Sequence, residues 1–139
     1  MPENYAELIA HYIERLRKPE TSEDAGHSLE ELEFLDVQAL PILQQYAVSE
    51  KDEDIRADLT EIVWRQYRRP ESVPFLAQML NDPSRKVWKA AIDGLVALGT
   101  DDALVALKTA RGGASAEQFE YIDEAIDQIE NSEAWPGLK

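Results

Sequence analysis

The sequence predicts an all-α fold: an α-α superhelix, or solenoid, in which a helical hairpin occurs about three times after an N-terminal helical cap. Two observations predict it. Apolar side chains recur along most of the chain at the three- and four-residue spacing of an amphipathic helix. The same pattern then returns at a period of 31 to 33 residues, which is typical of a protein built from repeats.

Composition narrows the class of protein. The 139 residues suffice for one domain with a hydrophobic core. The 28 acidic and 14 basic residues give a net charge of −14, which repels phosphate backbones and anionic lipid and favours encounter with a basic protein. There is no cysteine, hence no disulfide and no thiolate. No apolar run is as long as a membrane span, and the N-terminus lacks the pattern of a signal peptide, so we expect a cytoplasmic protein.

The first 38 residues are expected to form the helical cap. Asn4 suits the N-cap of a helix that runs to about Lys18 with one apolar face. Residues 18–26 are polar and include a proline and a glycine, which predicts a loop. The segment Ser28-Leu-Glu-Glu31 has the pattern of a capping box and predicts a short second helix from Ser28 to about Leu35.

Three repeats are predicted, at 39–71, 72–102 and 103–133, with a tail at 134–139. In the first helices, Ala-Leu-Pro-Ile-Leu from Ala39 matches Ser-Val-Pro-Phe-Leu from Ser72 and Ala-Leu-Val-Ala-Leu from Ala103. The apolar positions of the second helices match as well: Ile55, Leu59 and Val63 correspond to Val87, Ala91 and Leu95, and Trp88, Ala91, Leu95 and Leu98 correspond to Phe119, Ile122, Ile126 and Ile129. Both helices of the hairpin therefore repeat together.

The turns agree with these boundaries. Gly99 follows an apolar helical pattern, where a left-handed C-cap is expected. Pro41 and Pro74 fall in first turns, where a missing N–H is tolerated. The acidic segment 50–54 is expected to cap the helix at Ile55 and to supply acids to its first turn.

These features resemble HEAT-type repeats, in particular the short bacterial variety also seen in phycobilin lyases. The resemblance covers about residues 39–130 and is strongest over 73–99. Asp82 matches the aspartate typical of the turn, and Ile55-Arg56 matches the Val-Arg pair that opens the second helix. At the arginine position the later repeats carry Trp88 and Phe119 instead. The resemblance implies a binding scaffold in which the second helices line a concave surface, and it identifies no activity.

Acidic positions on the second helices predict the binding surface. Glu61, Asp93 and Glu124 occupy equivalent positions away from the apolar stripe, and an adjacent row contains Lys89 and Glu120. In register they would form a negative strip able to accept Lys or Arg side chains; the alternative is that they are ordinary solvated positions. The predicted partner-binding residues are Glu61, Trp64, Lys89, Asp93, Glu120, Asp123, Glu124 and Asp127.

The aromatic residues leave two interpretations open. Trp64 lies nearly opposite the apolar stripe by helical angle, and Trp88 begins the second helix of its repeat. Exposed aromatic side chains often anchor interfaces. Helices of a repeat protein also pack against neighbours on two sides, which favours burial of both tryptophans between repeats.

Other chemistry has little support in the sequence. The basic run from Arg65 to Arg69, even with the cations at 85–89, is a poor footprint for nucleic acid against a charge of −14. His11, on a helix, and His27, in the predicted loop, lack the spacing of metal ligands. We expect no catalytic residue, no cofactor and no bound metal.

The sequence therefore favours a non-enzymatic protein-binding module, a monomer with a basic protein partner and without nucleic-acid or membrane binding. A concrete version is an immunity-type inhibitor that neutralises a basic toxin. Two alternatives stay open. One is an enzyme accessory, similar to a lyase or a glycosylase, that holds a ligand in the concave groove. The other is a general scaffold or assembly factor.

Overall fold

The structure, a computed structural model, describes residues 4–131. Within this range it contains no strand, and its α-helices are α1 (Tyr5–Arg17), α2 (Ser22–Glu33), α3 (Leu40–Ser49), α4 (Glu53–Tyr67), α5 (Val73–Met79), α6 (Arg85–Leu98), α7 (Asp101–Arg111) and α8 (Ala116–Glu130). The predicted fold class, an all-α protein of repeated helical hairpins, is confirmed. None of these helices is both long enough and apolar enough to cross a bilayer. The predicted tail, 134–139, lies outside the described residues.

The chain divides into two compact units, Met1–Tyr67 and Arg68–Lys139. In the first unit α1 pairs with α2 and α3 pairs with α4, while α1 also packs on α3 and α2 on α4. The apolar faces of the four helices meet in a core whose largest fully buried side chains are Ile9, Ile13, Leu32, Leu43, Leu59 and Val63. Each such side chain contributes about 1.5–3 kcal/mol of transfer free energy when it leaves water.

The second unit repeats this arrangement. Helix α5 pairs with α6 and α7 with α8, while α5 also packs on α7 and α6 on α8. Its core includes the fully buried side chains Leu76, Leu80, Val87, Leu95, Leu107 and Ile122. Each predicted repeat thus contains one hairpin: α3–α4 in 39–71, α5–α6 in 72–102 and α7–α8 in 103–133.

The N-terminal prediction was wrong in one element. The segment predicted as a loop, 18–26, already contains the start of α2, because the Thr21 hydroxyl caps the helix by accepting the Asp24 N–H (3.0 Å). Ser28 therefore lies in the middle of the helix and is fully buried, and the Ser-Leu-Glu-Glu pattern marks no helix start. Gly26 costs such a helix only about 1 kcal/mol relative to alanine. His27 consequently belongs to a helix, where it approaches Glu31 (3.7 Å).

Most predicted caps are confirmed. Asn4 caps α1 by accepting the Glu7 N–H (3.2 Å). Gly99 ends α6 in the left-handed conformation (φ 60°) and donates its N–H to the Leu95 carbonyl (2.9 Å). In the acidic turn before α4, one Asp52 carboxylate oxygen accepts the N–H groups of the second and third helical residues. The start of α1, the start of α4 and the end of α6 therefore follow from local capping.

Two long-range polar contacts tie the first unit together. The Glu50 carboxylate, almost fully buried between α3 and α4, accepts hydrogen bonds from the Arg17 guanidinium of α1 (2.5 Å and 3.3 Å). The Tyr67 hydroxyl, at the end of α4, lies within hydrogen-bond distance of the carbonyls of Leu32 (3.2 Å) and Leu35 (3.0 Å). A hydroxyl has one proton, so the two carbonyls share it. These contacts fix α1 against the turn between α3 and α4, and the end of α2 against α4.

Candidate partner-binding surface

Local contacts fix the rotation of α8, which carries half of the predicted site residues. The Ser115 hydroxyl caps the helix by accepting the Gln118 N–H (3.2 Å). The Gln118 side chain donates in turn to the Leu80 carbonyl at the end of α5 (2.7 Å). Ile122 and Ala125 are buried on the inner side of the helix. The opposite side of α8 is left facing solvent.

An open groove with a volume of about 430 Å³ runs along this outer side of α8. It contains four predicted site residues, Glu120, Asp123, Glu124 and Asp127; the rest of its lining is Arg111, Phe119, Ile126 and Glu130. Five carboxylates against one guanidinium give the lining a formal charge of 1 − 5 = −4. We call this feature the α8 groove. It combines the negative potential expected of the predicted surface with one exposed aromatic ring.

Cations of α7 neutralise part of the α8 groove. Arg111 donates a hydrogen bond to the Asp123 carboxylate (2.8 Å), and the Lys108 ammonium lies 2.9 Å from the Glu130 carboxylate. All four side chains are about one-third or more exposed. Exposed pairs of this kind contribute about 0.2–1 kcal/mol each and are easily exchanged for other partners.

Glu120 and Glu124 differ from these paired acids. They lie four residues apart on one side of α8, and both are exposed. Among residues 4–131 neither carboxylate has an ion-pair partner. These two groups are therefore available to Lys or Arg side chains from outside.

The two aromatic residues at the repeat position of the arginine have opposite environments. Trp88 is 7% exposed, and its ring meets the edge of Tyr121 on α8 with centroids 5.7 Å apart. Phe119, one repeat later, is 44% exposed and lines the α8 groove. The predicted burial is thus observed for Trp88, whereas Phe119 presents an apolar surface to solvent.

The Lys89 side chain points to the contact between α6 and α8. Its ammonium lies over the Tyr121 ring, 4.8 Å from the centroid, and the Arg85 guanidinium lies 5.5 Å from the same centroid. Arg85 also donates to the Glu117 carboxylate (2.7 Å), and this hydrogen bond raises the pKa of the guanidinium. Lys89 therefore has an aromatic partner within its own unit, where cation–π attraction holds it.

The remaining predicted residues lie elsewhere. Asp93 is exposed on α6, in the second unit. Glu61 and Trp64 belong to α4, in the first unit, where Glu61 pairs with Arg65 (2.7 Å) and the Arg65 guanidinium lies 5.9 Å from the Trp64 ring. Trp64 is partly buried, and its indole N–H is buried without a hydrogen-bond partner among the described residues. The alignment of Glu61, Asp93 and Glu124 in one strip stays a prediction.

Sequence reasoning missed four residues of this surface, Arg111, Phe119, Ile126 and Glu130. Glu130 lines the α8 groove, and its position in the last turn of α8 gave no sign of that role. Phe119 was recognised as a repeat-equivalent of Trp88 and not as a residue of the acidic surface. That equivalence was itself a usable signal, because an aromatic ring at a repeat position is a candidate packing residue.

The chemistry available at this surface is recognition by charge. Carboxylates accept charge-assisted hydrogen bonds from ammonium and guanidinium groups. Within residues 4–131 no three His, Asp or Glu side chains come together as metal ligands. The α8 groove is open along its length and lined mainly by charged residues.

Comparison with known proteins supports the repeat architecture. A family model of HEAT repeats matches residues 40–118, more than half of the chain. The match begins with α3 and extends into the first turn of α8. No curated protein and no solved structure matches the chain.

Proposed function

Because the chain belongs to the HEAT-repeat family, we propose that it is a non-enzymatic protein-binding module that docks a basic protein on an acidic surface. HEAT repeats commonly serve as scaffolds for protein–protein binding. The observation that carries the proposal is the α8 groove, where five carboxylates face solvent around one guanidinium. The net charge of −14 extends the same sign over the whole chain.

The charge pattern defines the chemistry of the partner. Lys and Arg side chains of a basic protein would bind Glu120 and Glu124 directly and compete with Arg111 for Asp123. The long-range field would accelerate encounter, and salt would slow it. Asp93 on α6 and Glu61 on α4 would extend the contact if the second helices of the repeats present their acids to one partner.

A more specific version of the proposal is inhibition. A compact acidic protein that covers the cationic surface of a toxin, such as a nuclease, would block the binding of its anionic substrate. In this version the protein acts as a cytoplasmic monomer. The measurement is the activity of the captured basic protein with and without an equimolar amount of this chain, and unchanged activity would leave binding without inhibition.

The alternative of a ligand held in an apolar pocket has less support. Trp88 is buried against Tyr121 and is absent from the lining of the α8 groove. Phe119 is the only aromatic side chain in that lining, and carboxylates surround it. Such a groove suits a polypeptide with cationic side chains better than a small apolar molecule.

The test is affinity capture with charge-neutralised variants. One variant combines Glu120→Gln, Asp123→Asn, Glu124→Gln and Asp127→Asn. A matched control removes the same number of charges from the exposed acids of the first unit, by Glu7→Gln, Glu20→Gln, Glu23→Gln and Glu30→Gln. We expect the wild type and the control to retain basic proteins at about 50 mM salt. The groove variant should bind them about 10- to 100-fold more weakly, at about 0.5 kcal/mol for each lost contact.

Two outcomes would contradict the proposal. The wild type would retain no protein, or only acidic proteins. Alternatively, the groove variant and the control would lose binding to the same extent, which would show that only the total charge matters.

A further inference from the structure

The residues of α6 that face α8 have repeat-equivalent residues on α8 itself. Trp88 and Ile92 lie four residues apart on α6, and both are buried. One repeat later, 31 residues along the chain, the equivalent positions on α8 are Phe119 and Asp123. Val96, the next residue on that side of α6, corresponds to Asp127. The outer side of α8 therefore retains the aromatic residue of an internal packing face and carries acids in place of the aliphatic residues.

The contact between α6 and α8 shows how such a face is covered. Tyr121 packs edge-on against Trp88, while Arg85 and Lys89 place their cations over the Tyr121 ring. A ring of α8 thus covers the aromatic residue of α6, and opposite charges on the two helices flank the contact: the cations belong to α6, and Glu117 of α8 accepts a hydrogen bond from one of them. Phe119 stands at the same point of the repeat with 44% of its surface exposed.

We propose that the α8 groove receives a basic amphipathic helix of the partner protein, stacked on α8 as α8 stacks on α6, with an apolar side chain over Phe119. This inference rests on the proposed function and deepens it. The cations of the incoming helix replace Arg111 on Asp123 and bind Glu120 and Glu124. Phe119 supplies an apolar anchor for the helix, because a few buried aromatic contacts carry much of the binding energy of an interface.

Charge complementarity selects this occupant over a second copy of the chain. Two copies of the α8 groove would bring five carboxylates against five, with one guanidinium on each side. Like charges placed face to face cost several kcal/mol in an interface. A helix with lysines on either side of a leucine stripe matches both the carboxylates and the exposed ring.

The probe is a fluorescein-labelled amphipathic helical peptide of Leu and Lys, about 15 residues long. A second peptide replaces each Leu by Ala and keeps every Lys, and a third keeps Leu and replaces Lys by Glu. Binding is measured by fluorescence anisotropy at about 50 mM and about 150 mM salt. The full chain is compared with Phe119→Ser and with Val105→Ser, a matched control because Val105 is 61% exposed on α7 and absent from the groove lining.

We expect the Leu/Lys peptide to bind the wild type and the Val105→Ser variant with equal affinity. Binding to Phe119→Ser should be about tenfold weaker, because the partner loses its apolar contact. Phe119→Leu retains apolar surface and should bind within about twofold of the wild type, and circular dichroism checks that each variant is folded. Equal binding by Phe119→Ser and the wild type, or equal losses in the two serine variants, would overturn the inference. Preference for the Glu peptide would overturn it as well.

The Ala/Lys peptide separates this inference from the proposed function. If the four-residue groove variant loses that peptide while Phe119→Ser keeps the affinity of the wild type for both basic peptides, the acidic surface stands and the helix-docking inference fails. If the groove variant binds both basic peptides as the wild type does, the proposed function fails too.

Discussion

Removal of Arg17 is expected to destabilise the first unit through the carboxylate that it leaves behind. The Glu50 side chain is 1% exposed, and it accepts hydrogen bonds from Arg17 and from the Asp52 N–H (2.9 Å). Arg17→Met keeps much of the aliphatic stem and removes the guanidinium, so a buried charge loses its cation. The reverse change, Glu50→Gln, leaves a guanidinium that is 42% exposed and can be hydrated. Arg17→Met should therefore lower the free energy of unfolding by more than Glu50→Gln does.

The magnitude follows from this geometry. Breaking a fully buried pair by removing one partner costs about 3–5 kcal/mol. Solvent screening at the exposed guanidinium and the remaining Asp52 N–H reduce this, so we expect Arg17→Met to lower the free energy of unfolding by about 2 kcal/mol. Glu50→Gln should cost about 1 kcal/mol. The double variant Arg17→Met/Glu50→Gln should be more stable than Arg17→Met alone, because it leaves no uncompensated charge.

The assay is urea unfolding at neutral pH, followed by circular dichroism at the helical band. Lys18→Met is the matched control, since Lys18 lies on the same stretch of chain and forms an exposed pair with Glu14 at 3.8 Å. It should cost less than about 0.5 kcal/mol. If Arg17→Met costs no more than Lys18→Met, or if the double variant is less stable than Arg17→Met, then the buried carboxylate does not act as described.

Changes at three further places test two other contacts and one backbone conformation. Tyr67→Phe should lower the free energy of unfolding by about 1 kcal/mol, because it removes the shared hydroxyl proton. Burial raises the pKa of Tyr67 to about 12. The contribution of the hydroxyl to the free energy of unfolding should therefore be complete below pH 10 and lost between pH 10 and 12. Urea midpoints of the wild type and Tyr67→Phe across that range check this, and identical pH profiles for the two proteins would contradict it. The hydrogen bond from Arg15 lowers the pKa of Asp24. Asp24→Asn should therefore lower the urea midpoint at pH 7, where the wild-type carboxylate is ionised. Well below pH 3.8 the two proteins should have equal midpoints, because the protonated wild type has lost the contact as well. Arg68 has a left-handed backbone (φ 40°), whereas the neighbouring Arg69 has φ −102°. Because glycine adopts positive φ without strain, Arg68→Gly should raise the free energy of unfolding by about 0.5 kcal/mol, and Arg69→Gly should lower it. A lower free energy of unfolding in both variants would show that Arg68 is not strained.

The repeat architecture could be predicted because it depends on local sequence patterns. Each second helix carries its apolar residues at one period, and the Gly99 cap stands where the chain must turn left-handed. The start of α2 could not be placed in the same way. Thr21 and Ser28 are both suitable N-cap residues by type, and the choice between them depends on tertiary packing: α2 packs on α1 and α4, and Ser28 is fully buried inside the helix. Composition favoured the later start because Gly26 weakens the helix between them.

The candidate surface could be predicted only within one helix. Spacing places Glu120, Asp123, Glu124 and Asp127 on neighbouring positions of α8, and the structure brings them to one groove. The direction of Lys89 depends on Tyr121, a residue of another repeat, and helical spacing within α6 does not show it. The pairing of Glu50 with a residue 33 positions earlier is a tertiary contact of the same kind.

Amide chemical-shift mapping locates the bound basic helix on the protein surface residue by residue. The ¹⁵N-labelled full chain is titrated with the Leu/Lys helical peptide at about 50 mM salt, where surface charges are least screened. We expect the largest shifts on residues 116–130 and on Arg111, and the Glu-containing peptide should leave these signals in place. Shifts centred on α1 and α2, or the same small shifts spread over the whole chain, would contradict this expectation.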